Sequence, residues 1–157
     1  MNYIMKNIIL PAKELRLLAN QLENFNVGYT VPQIRSLNKV LIVMEEALKP
    51  FNDGLKKIQS VIVSQVNEKE KAEGEAKKQK EFEEFIKVEG EKKVTCALED
   101  VDFEFVKIVW SKMATFSGVK EAREAVLKID DAIQGASEPV FTNGETPLEK
   151  IDKPIGN

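Results

Sequence analysis

Histidine is missing from all 157 residues. Its absence removes the commonest general base, the Ser–His and Cys–His nucleophile pairs, and most zinc and non-haem iron ligand sets. Cysteine occurs once, as Cys96. A lone cysteine forms no disulfide within its chain and fits a reducing compartment. Surrounded by KKVTCAL, it reads as a small buried hydrophobe rather than a nucleophile. No apolar run reaches the ~18 residues that cross a bilayer. The opening MNYIMKNIIL looks only superficially like a secretory leader, because Ile8, Ile9 and Leu10 are too short for its apolar region and Pro11 then opens a helix. Basic residues are not in excess: 23 Lys and Arg face 26 Asp and Glu, a net charge of -3. A dedicated nucleic-acid surface needs clustered Lys and Arg, so none is expected. No Gly-rich loop follows a strand, which excludes the P-loop and the dinucleotide fingerprint. Aromatic residues are not interleaved with basic ones as a single-strand binder requires. No cofactor is expected.

What remains is a chain that is 43% hydrophobic and 31% charged, ordinary for a soluble, helix-rich protein with one core. Its strongest pattern runs from Thr30 to Val66. Ile34, Leu37, Leu41, Met44, Leu48, Phe51, Leu55, Ile58 and Ile62 follow at steps of three and four, which predicts one long amphipathic helix. Thr30 with Gln33 forms a capping box at its start, Tyr29 and Ile34 are placed as a hydrophobic staple, and Pro32 sits in the first turn. Pro50 falls inside the pattern, yet the seam keeps phase across it. The reading is therefore a kink, softened by Gly54. A straight helix of this length would run ~50 Å, longer than a compact domain of this size, so it must bend over its core or project towards a partner.

The flanking segments complete an α+β reading: mainly α with a small β element. Residues 6–10 (KNIIL) read as a strand. Pro11 begins a helix with Leu15, Leu18 and Leu22 on one face and Leu17 beside them, and the short connection through Asn26 and Gly28 predicts an antiparallel hairpin with the long helix. The charged stretch 67–81 reads as a solvated helix or a mobile linker, after which Phe82, Phe85 and Ile86 return the chain to the core. Residues 92–98 read as a second strand, partner to the first, in a sheet of two or three strands. Val101, Phe103 and Phe105 alternate like a strand, while Phe103, Val106, Trp110 and Met113 step like a helix. The helix is preferred, from about Asp102 to Thr115, capped by Asp100 or Asp102, with Trp110 as a core anchor. Ser117 is expected to cap a last helix carrying Val119, Ala122, Val126, Ile129 and Ile133 and stopped by Gly135. This makes 1–135 a single domain and leaves 136–157 as an extended tail, too poor in apolar residues to fold alone.

Glu99, Asp100, Asp102 and Glu104 form the one dense carboxylate cluster. Oxygen-rich groups suit Mg²⁺ or Ca²⁺, but the EF-hand spacing and its central glycine are missing, so helix capping and a solvated rim explain it better. Asp130 and Asp131 fall on the polar side of the last helix.

The order of features carries a resemblance. A strand (KNIIL) leads to KELRLLANQL, then to IRSLNKVLIVMEEALKPFNDGLKKI, a charged spacer, EFIKVEGEKKV and ALEDVDFEFVKIVW. This resembles a family of small proteins of tailed bacteriophages of low-GC bacteria, with the last helix and tail outside the likeness. The resemblance implies a phage origin and no catalytic residues. The expected function is that of a non-enzymatic virion, connector or assembly component, located in the virion or the host cytoplasm. Its partners would be other virion proteins or copies of itself, with neither nucleic acid nor membrane among them. The surface expected to dock comprises Phe51, Leu55, Ile58 and Ile62 on the long helix and Val140, Phe141, Leu148 and Ile151 on the tail. Two rival classes are an inhibitor of a host defence protein and a small metal-dependent hydrolase built on Asp100 and Asp102.

Overall fold

Alternation along two short segments sets up the sheet. In the computed structural model, which describes residues 4–25, 28–113, 120–135 and 140–141, strand β1 (Ile4–Pro11) pairs antiparallel with β2 (Lys93–Glu99). Ile8 lies opposite Cys96, and Leu10 opposite Val94. Ile8, Leu10, Cys96 and Leu98 are buried while Ile9, Thr95 and Ala97 are exposed, as a sheet with one covered face demands. β1 runs longer than the five residues read from the sequence, and β2 has the length read but lies one residue later. A two-residue third strand, β3 (Val140–Phe141), pairs with Ile4 and Met5 on the other edge of β1.

The described residues also form five helices: α1 (Ala12–Asn24), α2 (Val31–Gln59), α3 (Glu68–Glu89), α4 (Asp100–Lys112) and α5 (Lys120–Gly135). The chain is mainly helical with a small antiparallel sheet. Leu15, Leu18 and Leu22 of α1 are fully buried, as their spacing requires. The capping box of α2 is formed: the Gln33 backbone N–H donates to Thr30 Oγ1 at 3.4 Å, and Thr30 N–H donates to Gln33 Oε1 at 2.9 Å. The staple is not. Tyr29 instead packs its ring against Phe105, with centroids 5.8 Å apart, and Ile34 is exposed. α2 runs through Pro50, whose side of the helix faces solvent.

The buried stripe of α2 is Val40, Met44, Leu48, Phe51 and Leu55. It steps by four at its start, where the heptad reading had Leu37 and Leu41. A straight α-helix drifts ~20° per heptad against a 3.5 repeat, so the face that meets the core moves to Val40, with Leu37 and Leu41 half-buried on its flanks. α2 also ends earlier than the pattern implied, at Gln59 rather than Val66. Val61, Ile62 and Val63 are β-branched and stiff at χ1, which weakens helix there. Ser60 completes the stop by bonding back to the last turn, its N–H to Lys56 O at 2.9 Å and its hydroxyl to Lys57 O at 2.8 Å.

The charged stretch is helix, not linker. α3 starts on Asn67, whose side chain accepts from the Glu70 N–H at 2.8 Å, and it runs back antiparallel to α2. Phe82, Phe85 and Ile86 pack against the core from α3, and Phe85 stacks on Phe51 with centroids 5.5 Å apart. Gly54 admits that ring: a Cβ there would come within 2.6 Å of Phe85 Cε2. Its role in the packing is therefore close approach between helices.

α4 begins two residues earlier than read, with Glu99 at its N-cap and no side-chain cap bond from Asp100 or Asp102. Phe103, Phe105, Val106, Val109 and Trp110 are buried along it. Trp110 is the anchor expected, and its indole N–H donates to Asp130 Oδ1 on α5 at 3.0 Å. Asp130 is thus an inter-helix acceptor rather than a free surface acid. Ile129 and Ile133 bring α5 into the core. Ser117, Val119 and the tail beyond Gly135 lie outside the described residues, apart from the two of β3.

The Gly54 contact gives a test with opposing terms. Gly54→Ala gains about 1 kcal/mol of helix propensity but crowds the Phe85 ring, a kind of overpacking that costs about 1–3 kcal/mol. Urea denaturation should show a net loss of stability in Gly54→Ala, and adding Phe85→Leu should recover part of it.

Candidate docking surface

The reversal between α2 and α3 is where the chain places apolar side chains outside its core. The end of α2 accounts for its last four carbonyls without burying them, a general need of helix termini. Lys56 O and Lys57 O are taken by Ser60, Ile58 O by the Val61 N–H at 3.2 Å, and Gln59 O by Lys78 Nζ at 2.7 Å. Lys78 also donates to Val61 O at 3.1 Å. An ammonium at a helix C-terminus is favoured by the helix dipole as well. One lysine of the charged stretch therefore ties the reversal down. Gly74 lets Val63 lie against α3, since a Cβ there would meet Val63 Cγ1 at 2.7 Å. The Ser64 hydroxyl bonds Glu70 Oε2 at 3.1 Å.

With its backbone held this way, the reversal presents Ile62 at 93% and Val66 at 79% exposure, with Val61 at 48%. A groove lies on each side. One, of about 860 Å³, has Ile58, Val61, Phe85 and Val88 along it, with charged residues at its rim. The other, of about 560 Å³, lies against Val63, Lys78 and Phe82. Apolar residues concentrated on one exposed tip, with charges around them, have the composition of a protein-docking patch.

The residues expected to dock divide accordingly. Phe51 and Leu55 are buried in the chain's own core and offer no surface, because the helix face they share with Met44 and Leu48 is covered by the protein itself. Ile58 is half-buried in the groove wall, and Ile62 is the most exposed large apolar residue among those described. Val140 and Phe141 form β3 on the sheet edge, far along the chain from the reversal. Leu148 and Ile151 lie outside the described residues. Val61, Val66 and the α3 wall were not singled out from the sequence. The signal was present, since Asn67 followed by Glu70 is a helix-start signature and places a break just before it.

The carboxylate cluster disperses. Lys6 of β1 pairs with Asp100 at 2.7 Å and Glu104 at 3.5 Å and lies 5.1 Å from the centre of the Phe103 ring. Its pKa is raised chiefly by the Asp100 hydrogen bond. Asp102 turns inward and is buried, its Oδ1 without a hydrogen-bond partner. Among the described residues no three His, Cys, Asp or Glu side chains are grouped to hold a metal ion, and no helix is long and apolar enough to cross a membrane. Burial pushes the Cys96 thiol up to about 12. In comparisons with known proteins, no family model, no curated protein and no solved structure matches the chain.

Two carboxylates near the start of α1 oppose each other. Burial raises the pKa of Glu14, against the pull of Lys128 and Lys13, and its Oε1 has no hydrogen-bond partner. The fold thus favours protonated Glu14, and that contribution is full below the ordinary carboxylate range and lost as pH rises through the raised value. Glu91, paired with Lys13, has a lowered pKa, so its contribution is present above that range and lost as pH falls through the lowered value. Thermal melts of Glu14→Gln should accordingly show a gain over the parent at neutral pH that shrinks on acidification, as Glu14 itself protonates. Alkylation of Cys96 at mildly alkaline pH should follow global unfolding and be negligible in the folded protein, read by mass spectrometry.

Proposed function

We propose that this chain is a non-enzymatic interaction protein of a bacteriophage, a virion or assembly component that docks through the tip of its α2–α3 hairpin. The observation that carries the docking reading is the exposed trio Val61, Ile62 and Val66, held on a tied-down reversal between two grooves. The phage assignment is supported by the resemblance in feature order, from the KNIIL strand to Trp110. The non-enzymatic reading is supported by the lack of histidine and by the engagement of the acidic cluster with Lys6.

Purified phage particles should contain the chain by mass spectrometry. Ile62→Asp and Val66→Asp alter exposed side chains and should leave the melting temperature within a few degrees of the parent, while reducing incorporation into particles at least about tenfold, as loss of an interface anchor does. Full incorporation of both folded variants would remove the tip from the docking surface, and absence of the chain from particles would remove the virion assignment.

A further inference from the structure

The larger groove has an order in its charges that identifies an occupant. α3 runs antiparallel to α2, as Lys78 beside Gln59 and Phe85 beside Gly54 show. On α3 the tip end of the groove is therefore bordered by Lys77 and Lys80, and the end towards the body of the protein by Glu81, Glu84 and Glu89, with Lys57 on the α2 wall between Gly54 and Gln59. Two positive charges and three negative ones are segregated along the α3 wall of one apolar trough. A surface that reverses sign along its length is complementary to itself when turned by a twofold axis across its middle, because each basic end then meets an acidic end. That is the requirement of an isologous interface, where the same patch serves both partners.

We propose that the occupant of this groove is a second copy of the chain, packed hairpin against hairpin in antiparallel fashion. The apolar strip fits the same operation. Ile62, 93% exposed at the tip of one copy, reaches over the body end of the other, where Val88 is 49% exposed. Phe85 and Ile58 line the trough between them. An acidic or a basic peptide would satisfy one half of the rim and be repelled by the other. A membrane surface of one charge would meet the same conflict. A copy of the chain satisfies both halves at once. The proposal rests on the reading of the hairpin tip as a docking surface and names its first partner.

The test uses the full chain in sedimentation velocity over a wide concentration range. The parent should be a dimer whose affinity weakens as salt rises, since exposed charge pairs are screened. Lys77→Glu with Lys80→Glu makes the α3 side of the rim acidic throughout, and Glu81→Lys with Glu84→Lys leaves Glu89 as its one acidic residue. Each double variant, shown folded by circular dichroism, should dimerise at least about tenfold more weakly than the parent, because like charges then face each other. An equimolar mixture of the two should form a heterodimer and recover most of the lost affinity. A parent that stays monomeric at the highest concentration overturns the proposal, as does a dimer indifferent to both charge reversals or a mixture that fails to associate. Particle incorporation of Ile62→Asp separates the two ideas. A monomeric parent together with lost incorporation sinks self-association and leaves the tip as a docking surface for another protein. A charge-sensitive dimer with full incorporation keeps the dimer and removes the tip from particle docking.

Discussion

The structure depends on one helix face. α2 contacts four other elements, α1, β2, α3 and α4, and its buried stripe of Val40, Met44, Leu48, Phe51 and Leu55 lies in the core they share. Each such side chain contributes about 1.5–3 kcal/mol through burial, against a net stability of only about 5–15 kcal/mol for a domain. The sheet follows from this arrangement. Two antiparallel strands with a two-residue third are marginal in isolation, and here Ile8, Leu10, Cys96 and Leu98 present an apolar face for the helices to cover. α5 joins later in the chain through Ile129 and Ile133, with the Trp110–Asp130 hydrogen bond orienting it against α4.

What was legible in the sequence was whatever short-range chemistry controls. The Thr30–Gln33 box, the Leu15–Leu18–Leu22 face, the alternation of both strands and the choice of helix from about Asp102 onward all rest on residues within one or two turns of each other. The departures are of two kinds, local at the end of α2 and long-range at Lys78. Continuing the long helix to Val66 required Val61, Ile62 and Val63 to be seam residues. Their β-branching disfavours helix, and Asn67 caps a new helix just beyond them. The choice of Leu37 and Leu41 over Val40 came from treating a 3.5 period as exact where the helix drifts. The role of Lys78 could not be read at all, since its partners Gln59 and Val61 lie 19 and 17 residues away. Among interleaved Lys and Glu, nothing local marks one lysine as a cap.

The candidate surface was half visible for the same reason. Ile58 and Ile62 stood out because they continued a pattern, but so did Phe51 and Leu55, and periodicity alone does not say where a stripe leaves the core. The three-dimensional answer lies at Gly54. There α3 closes over α2 through Phe85, and beyond it no third element among the described residues covers the helix pair. Segregation of charge along α3 was present in the string KKQKEFEE, yet it became meaningful only when Ile58 and Val61 supplied the apolar wall beside it.

This arrangement separates stability from docking. Not one residue of α3 is fully buried, and its link to the core runs through the half-buried Phe82, Phe85 and Ile86. Its first turns are held by polar ties instead: Lys78 on the carbonyls of α2, Asn67 on the Glu70 N–H, and Ser64 on Glu70. Exposed hydrogen bonds with few apolar contacts mark the low-stability end of a structure, where local opening is cheap compared with global unfolding. The tip can therefore adjust to a partner, or carry a polar substitution, without disturbing Met44 or Leu48. The reverse does not hold. Loosening the α2 stripe near Phe51 and Leu55 displaces Phe85, and with it the groove wall, so a surface that contributes little to the fold is nevertheless shaped by the core beneath it.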